Sequence, residues 1–267
     1  MYMVRLDKLI LEKGLVDSRE KAQAIIMAGQ VLVNGHRVDK PGHRVTEDAK
    51  IEVLALPRYV SRGGEKLEGA LRRFRIDPSG KVALDVGSST GGFTDCLLQH
   101  GAIRVYAVDV GRGQMDIKLR KDPRVILYER TDARSLTEEH VPEKVDILTA
   151  DVSFISLTKI LPAVVKFMKE EGTLICLVKP QFELCPKKVK KGIVKNREDK
   201  KEAILKVANL LTELGLNIHG VIKSFPLGTK GNEEFFMFAS YAEALTDIEK
   251  AIEDALDESF GVSINKA

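Results

Sequence analysis

Tryptophan is absent from this 267-residue chain, and cysteine occurs only three times, at Cys96, Cys176 and Cys185. An odd number of thiols without ligand spacing gives no disulfide framework and no cysteine-built metal centre, so no metal is expected. No stretch reaches the roughly 18 apolar residues that a membrane-spanning helix needs. The opening MYMVRLDKLILEKG carries charges every few positions instead of the apolar core of an export signal. The expectation is a cytoplasmic protein with no membrane partner. A large excess of one charge is also missing: 42 Lys and Arg stand against 39 Asp and Glu, a formal net charge of +3. What is present is 44% apolar residues, enough for a real core, and 30% charged residues, typical of a folded chain. The length accommodates one large domain with a small companion.

The distribution of charge says more than its sum. Residues 187–201, KKVKKGIVKNREDKK, hold eight basic and two acidic side chains, whereas residues 243–258 lean acidic. A basic run is either a solvated loop or a surface for phosphates. The pattern breaks at residues 54–60, LALPRYV, where Pro57 interrupts. This places a small domain over 1–56, a linker over 57–61 and a large domain over 62–267.

In the small region, RLDKLILEKGL sets Leu6, Leu9, Ile10 and Leu15 on roughly one helical face. Asp17-Ser18 then caps a second helix, with Gly29 as its stop. VLVNGHRV follows as two short strands about an Asn34-Gly35 turn, and Lys50–Val53 alternates as a third. "RLDKLI", "SREKAQAIIMAGQVLVNG" and "KPGHRV" stand in an order and spacing that resembles the S4 RNA-binding domain over residues 3–56. The resemblance implies that the helix pair and its following turn present basic side chains to structured RNA. On this chain these are Arg5, Arg19 and Lys21, with Arg37 and Lys40 beside them. Phosphate contacts need cations gathered on one surface, and folded RNA can be read by shape.

The larger region alternates strands (KVALDVG, RVYAVDVG, RVILYER, VDILTADVSF, GTLICLVKP) with helical patterns, including GQMDIKLRKD and SLTKILPAVVKFMKE. It closes on two adjacent strands, NIHGVIKSF and EEFFMFASY, before an acidic amphipathic helix. The fold expected is α/β, with a mainly parallel seven-stranded sheet and an antiparallel strand at one edge, an arrangement that resembles the Rossmann-like class I methyltransferases.

The stretch LDVGSSTGGFTDC, residues 84–96, discriminates among ligands. A P-loop needs a lysine where Phe93 stands, and a dinucleotide fingerprint needs a middle glycine where Ser88 and Ser89 stand. S-adenosylmethionine has no phosphate. It asks for a tight turn with open backbone groups and for an acid at the end of the next strand to take the ribose hydroxyls. Asp85, Gly87, Ser88, Ser89, Thr90, Gly91 and Gly92 supply the turn, and Asp109 ends the next strand. Asp132, after the third strand, is either an adenine contact or a turn cap.

Four polar residues fall at or near strand ends on the ligand side of such a sheet: Lys66, Asp151, Lys179 and Glu234. A ribose 2′-hydroxyl is a poor nucleophile that must lose its proton as it attacks. A lysine beside a second ammonium and out of water becomes a better base. Lys179 is the candidate base, Lys66 holds the attacking oxygen or stabilises its developing charge, and Asp151 and Glu234 orient the lysines. Alternation along the last strand puts Glu233 on the face opposite Glu234.

"SRGGEKL", "LDVGSSTGGFTDCLL", "VYAVDVG", "TADVSFISL", "LVKPQFE" and "GNEEFF" together resemble the TlyA family, an S4 domain joined to a methyltransferase domain like that of the FtsJ-type ribose methyltransferases. The resemblance runs nearly the length of the chain. It implies methyl transfer from S-adenosylmethionine to a cytidine 2′-oxygen of 16S or 23S ribosomal RNA, with a Lys-Asp-Lys-Glu set that maps onto Lys66, Asp151, Lys179 and Glu234. FtsJ-type enzymes often carry Ala-Pro where this chain has Ser89-Thr90, a departure shared with TlyA-like chains. The basic loop, with Lys187, Lys188, Lys190 and Lys191, is expected to clamp the target strand, whose nucleotide is extruded. Two alternatives of other classes are a non-catalytic RNA-binding assembly factor and, from the family's haemolysin label, a membrane-active protein.

Overall fold

The computed structural model describes residues 2–228, 231–244 and 247–259. The chain divides into two units, Met1–Arg58 and Tyr59–Ala267.

The small unit begins with strand β1 (Met3–Arg5) and helix α1 (Leu6–Glu12). Helix α2 (Arg19–Met27) follows, then β2 (Val31–Val33), β3 (His36–Arg37), β4 (Arg44–Thr46) and β5 (Ile51–Val53). Ser18 caps α2 by accepting from the Lys21 backbone N–H at 3.2 Å. Asn34 and Gly35 both take positive φ, 50° and 81°, as a tight hairpin turn between β2 and β3 requires. The ladder runs β3-β2-β5, all antiparallel. β1 pairs separately with β4, a pairing too short to read from the sequence. Leu6, Leu9, Ile10, Ala22, Ile25 and Ile26 from the helices pack on Val31, Val33 and Val45.

The large unit opens with α3 (Arg62–Phe74), which the sequence reading left without an element because Gly63-Gly64 and dense charge mask its apolar stripe. Gly64 is required there: a Cβ would lie 2.2 Å from the Tyr59 ring. The alternation continues through β6 (Val82–Val86), α4 (Gly92–Gln99), β7 (Arg104–Val108), α5 (Ile117–Arg120), β8 (Val125–Tyr128), β9 (Val145–Ala150), α6 (Leu161–Val164) and β10 (Met168–Val178). After α7 (Pro180–Glu183) and α8 (Arg197–Glu213), the strands β11 (Asn217–Lys223) and β12 (Phe235–Ser240) precede α9 (Ile248–Asp257).

The seven strands order β11-β12-β10-β9-β6-β7-β8. β12 runs antiparallel to both its neighbours. It is therefore not the edge strand expected, but is inserted between β10 and the outer β11. Residues alternate between two cores, one on each face of the sheet. Leu84, Val86 and Tyr106 pack toward Ile204, Val207 and Ile252. Ala83, Val105 and Ala107 pack toward Leu67, Leu97 and Phe93.

Two helices read from pattern are much shorter than expected. Residues 157–167 break into 3₁₀ turns around the four-residue α6, where Pro162 and the β-branched Val164-Val165 disfavour a long helix, and β10 already starts at Met168. Of GQMDIKLRKD, only Ile117–Arg120 is helical.

The strand order reverses between β6 and β9. In doubly wound sheets the ligand crevice opens at that switch point, beyond the carboxyl ends of the strands. The start of β12 lies at this same end because Phe235 pairs with Val178 at the end of β10.

Candidate active site

The glycine loop after β6 is shaped first by the protein itself. A Cβ on Gly87 (φ +82°) would sit 2.4 Å from the Asp151 carbonyl oxygen, so only glycine lets β6 and β9 close on each other at their ends. Gly91 (φ +94°) faces the side chains of Leu119 and Met115, which would have to shift to admit a Cβ 2.3 and 2.5 Å away. Gly92 opens α4 against Ser61 and Gly63 at the start of α3.

Asp85 lies beneath the loop, outside the crevice lining. It is fully buried, and its carboxylate accepts from Thr94 Oγ1 at 2.7 Å and Thr149 Oγ1 at 2.9 Å. Burial, with Asp151 nearby, pushes its pKa up to about 6 against the pull of the two hydroxyls. Asp85 props the loop from beneath.

Above it lies a crevice of about 220 Å³ lined by Ser61, Arg62, Lys66, the 87–90 loop, Phe93 and Asp151. The Ser88 hydroxyl is buried without a hydrogen-bond partner among the described residues. Asp109, at the end of β7, accepts from the Ser89 N–H at 2.8 Å and the Gly111 N–H at 2.6 Å. Ser89 holds φ +47°, in the left-handed region. Asp132 stands apart from the crevice lining. It caps a short 3₁₀ turn and pairs with Arg134 at 2.6 Å, which holds its carboxyl below the usual range.

The four strand-end residues form two ion pairs. Lys66 Nζ, from the first turns of α3, donates to Glu234 Oε2 at 2.7 Å, and both groups are buried. Gly228 crowds this carboxylate so closely that a Cβ would lie 2.1 Å from Oε1. Lys179 Nζ lies 2.6 Å from Asp151 Oδ1 and donates to Ser153 Oγ at 2.9 Å. Glu233 points the other way, to Lys223 at 3.1 Å and to Lys200.

Ser153 and Glu183 escape sequence reasoning. They belong to a ladder between the segments that follow β9 and β10: Ser153 with Lys179, Phe154 with Phe182 (ring centroids 5.1 Å apart), and Glu183 with Ser156 and with the Leu157 N–H at 2.8 Å. Glu183 is buried, and burial raises its pKa. Both segments lie in "TADVSFISL" and "LVKPQFE", but their register emerges only once β9 and β10 are paired.

Some of the basic candidates stand in ion pairs, and others are exposed. In the small unit Arg5 and Arg19 both bond Asp7, and Lys21 pairs with Asp17 at 2.7 Å. Arg37 and Lys40 are exposed. In the large unit Lys188 pairs with Asp199 at 3.0 Å and with Glu202. Arg197 pairs with Glu253 at 2.5 Å and Asp257 at 2.9 Å, and Lys201 with Glu253 at 2.5 Å. The 187–201 run is thus not one uniform basic clamp. Acids of α8 and α9 pair with Lys188, Arg197 and Lys201, and Glu233 pairs with Lys200, while Lys187, Lys190 and Lys191 stay exposed.

The S4 domain family matches residues 4–51, and the FtsJ-like methyltransferase family matches residues 59–241, most of the chain. The chain belongs to the FtsJ-like methyltransferase family. It is 41% identical over 256 residues to the 16S/23S rRNA (cytidine-2′-O)-methyltransferase TlyA of Mycobacterium tuberculosis, covering 94% of this chain and 95% of that one. It is 42% identical to Hemolysin A of Brachyspira hyodysenteriae, covering 87% and 98%. A solved structure from Streptococcus thermophilus, titled as a candidate hemolysin, superposes with a TM-score of 0.75 at 37% identity, covering 96% and 95%.

In this FtsJ-like domain the two ion pairs share one crevice edge with the glycine loop. Each ammonium is held by a carboxylate, and each retains N–H capacity for a further oxygen. Such a pair of cations can grip a hydroxyl oxygen and stabilise charge developing on it.

Proposed function

We propose that this protein transfers a methyl group from S-adenosylmethionine to the ribose 2′-oxygen of a cytidine in ribosomal RNA, acting in the cytoplasm on a target gripped by the S4 unit. The observation that carries this reading is the two ion pairs, Lys66–Glu234 buried and Lys179–Asp151 half-buried, at the rim of a glycine loop that has no phosphate-binding lysine.

S-adenosylmethionine supplies an electrophilic methyl group when bound. The loop fits it: the partnerless Ser88 hydroxyl and the first N–H groups of α4 suit its carboxylate, and Asp109 suits its ribose hydroxyls. Lys179, as the neutral amine, takes the proton of the attacking 2′-hydroxyl and becomes the ammonium that Asp151 holds, and Asp151 and Ser153 fix the direction of Nζ. Lys66, anchored by Glu234, holds the same oxygen in line, and alignment supplies much of the rate. Arg5, Arg19, Lys21, Arg37 and Lys40 contact RNA from the small unit, and Lys187, Lys190 and Lys191 from the large one. Lys188 orders its loop.

Lys179→Ala is expected to keep cofactor binding in calorimetry and to lower single-turnover methylation of ribosomal RNA about 10²- to 10⁴-fold. Normal methylation by this variant would sink the assignment of the base. The hemolysin name of one relative motivates a second reading. Among the described residues no helix is long and apolar enough to cross a membrane. Lipid vesicles are expected to stay sealed in the presence of the pure protein. Leakage that survives Lys179→Ala would establish a separate membrane activity.

A further inference from the structure

The small unit buries one carboxylate, Asp7 in the first turn of α1, and surrounds it with cations. Its Oδ1 accepts from Arg5 Nε at 2.9 Å. Its Oδ2 accepts from Arg5 Nη2 at 2.9 Å, from Arg19 Nε at 3.0 Å and from Gln23 Nε2 at 3.0 Å. Arg5 ends β1, Arg19 opens α2 and Gln23 lies one turn further along α2. One side chain thus ties three segments together and holds two guanidiniums side by side.

Two like charges would otherwise splay apart. A shared, desolvated carboxylate offsets their repulsion, and the two-toothed contact with Arg5 fixes the plane of its fork. The outer parts of both cations remain available, since the Arg5 and Arg19 side chains keep 43% and 42% of their surface exposed. Gly42 adds room: even a Cβ there would come within 3.4 Å of Arg5 Nη1, so a larger residue would crowd the fork. With two cations and one anion, the cluster keeps a net positive charge.

We propose that Asp7 is the positioning residue of a two-arginine phosphate clamp, in which Arg5 and Arg19 take a backbone phosphate of folded RNA between them. This rests on the reading of the small unit as an RNA-binding module. Its consequence runs against simple charge counting. Asp7 repels RNA as a bare charge, so Asp7→Asn, which adds one unit of positive charge, should strengthen binding if only the field mattered. If Asp7 organises the clamp, the same substitution weakens binding. It also flattens the salt dependence, because fewer counterions are released when a phosphate contact is lost.

The test uses the full-length protein and 16S and 23S ribosomal RNA transcripts, with affinity measured across a salt series and the fold followed by the ¹H–¹⁵N fingerprint. For Asp7→Asn the expected result is about tenfold weaker binding and a shallower slope of log K against log salt. A folded Asp7→Asn protein that binds equally or more tightly overturns the proposal. Arg19→Lys decides the case if Asp7→Asn unfolds the unit. It keeps the charge but loses the fork, and wild-type affinity and slope in this variant also overturn the proposal. Arg19→Glu separates the two levels. If charge reversal there leaves RNA binding intact, the RNA reading of this surface fails. If it abolishes binding while a folded Asp7→Asn binds normally, only the role of Asp7 fails.

Discussion

Each unit of this protein buries one aspartate completely, and the two end in opposite electrostatic states. Asp7 in the small unit is surrounded by Arg5, Arg19 and Gln23, which hold its carboxyl far below the usual range. Asp85 in the large unit meets only neutral donors, the hydroxyls of Thr94 and Thr149 and the Thr94 backbone N–H, and burial raises its pKa to about 6. Both carboxylates are sealed from solvent, but Asp7 lies just beneath two half-exposed arginines whereas Asp85 lies deep in the core, so depth and partner charge act together: a guanidinium returns the solvation that a carboxylate loses, whereas neutral donors return only part of it. The small unit can therefore use its buried anion to organise cations at a surface. The large unit uses its own to brace a loop under a binding crevice.

Three measurements sharpen this contrast, and the largest effect is expected from pH. Folded Asp85 keeps its proton up to about pH 6, whereas in the unfolded chain it releases it near its ordinary value of 3.8. The folded state then binds more protons in that window, so the large unit loses stability as pH rises from about 4 to about 6, by on the order of 3 kcal/mol. Asp85→Asn should flatten this limb in calorimetric unfolding. An unchanged slope would assign the pH dependence elsewhere.

Next in size is Thr149→Val, which removes one of the two hydroxyl donors to Asp85. A cost of about 1–3 kcal/mol is expected at pH 8, where the carboxylate is charged. The cost should be clearly smaller at pH 5, where Asp85 is protonated. Equal costs at both values would mean that the hydroxyl serves packing alone.

The smallest effect in the neutral range belongs to Asp7. Its folded pKa is depressed, so the stability it contributes is complete above its unfolded pKa near 4 and is lost only as pH falls further. Residue-resolved hydrogen exchange of the small unit is expected to be insensitive to this group between pH 5 and 8. A titration step there that disappears in Asp7→Asn would show that its guanidinium partners do not hold it in solution.

Much of this was legible in one dimension, and particular residues show where legibility stops. The two-residue turn at Asn34-Gly35, the Ser18 cap and the alternation of Glu233 with Glu234 were readable because they depend on local geometry. Asp151, Lys179 and Glu234 were readable as a group because strand ends in a doubly wound sheet share an edge, whereas Lys66, in the first turns of α3, joined them through the TlyA-like motif SRGGEKL. The pairing within the group, Lys66 with Glu234 and Lys179 with Asp151, depends on strand order and so was not. The packing of Gly91 against Leu119 and Met115 and the bonds of Asp85 to Thr94 and Thr149 were not readable, because a glycine or acid in such a loop has the same sequence signature whether it faces a ligand or the core.

The order of residues alone determined the two-part organisation, the α/β alternation and the set of polar groups that gather at one sheet edge. Periodicity, turns and caps are short-range effects written along the chain. Tertiary structure alone decided which charges are used up and which stay open. The neutralisation of Arg197 and Lys201 by α9, the sharing of Asp7 by two arginines and the Ser153–Lys179 contact all join residues that only folding brings within Coulomb and hydrogen-bond range.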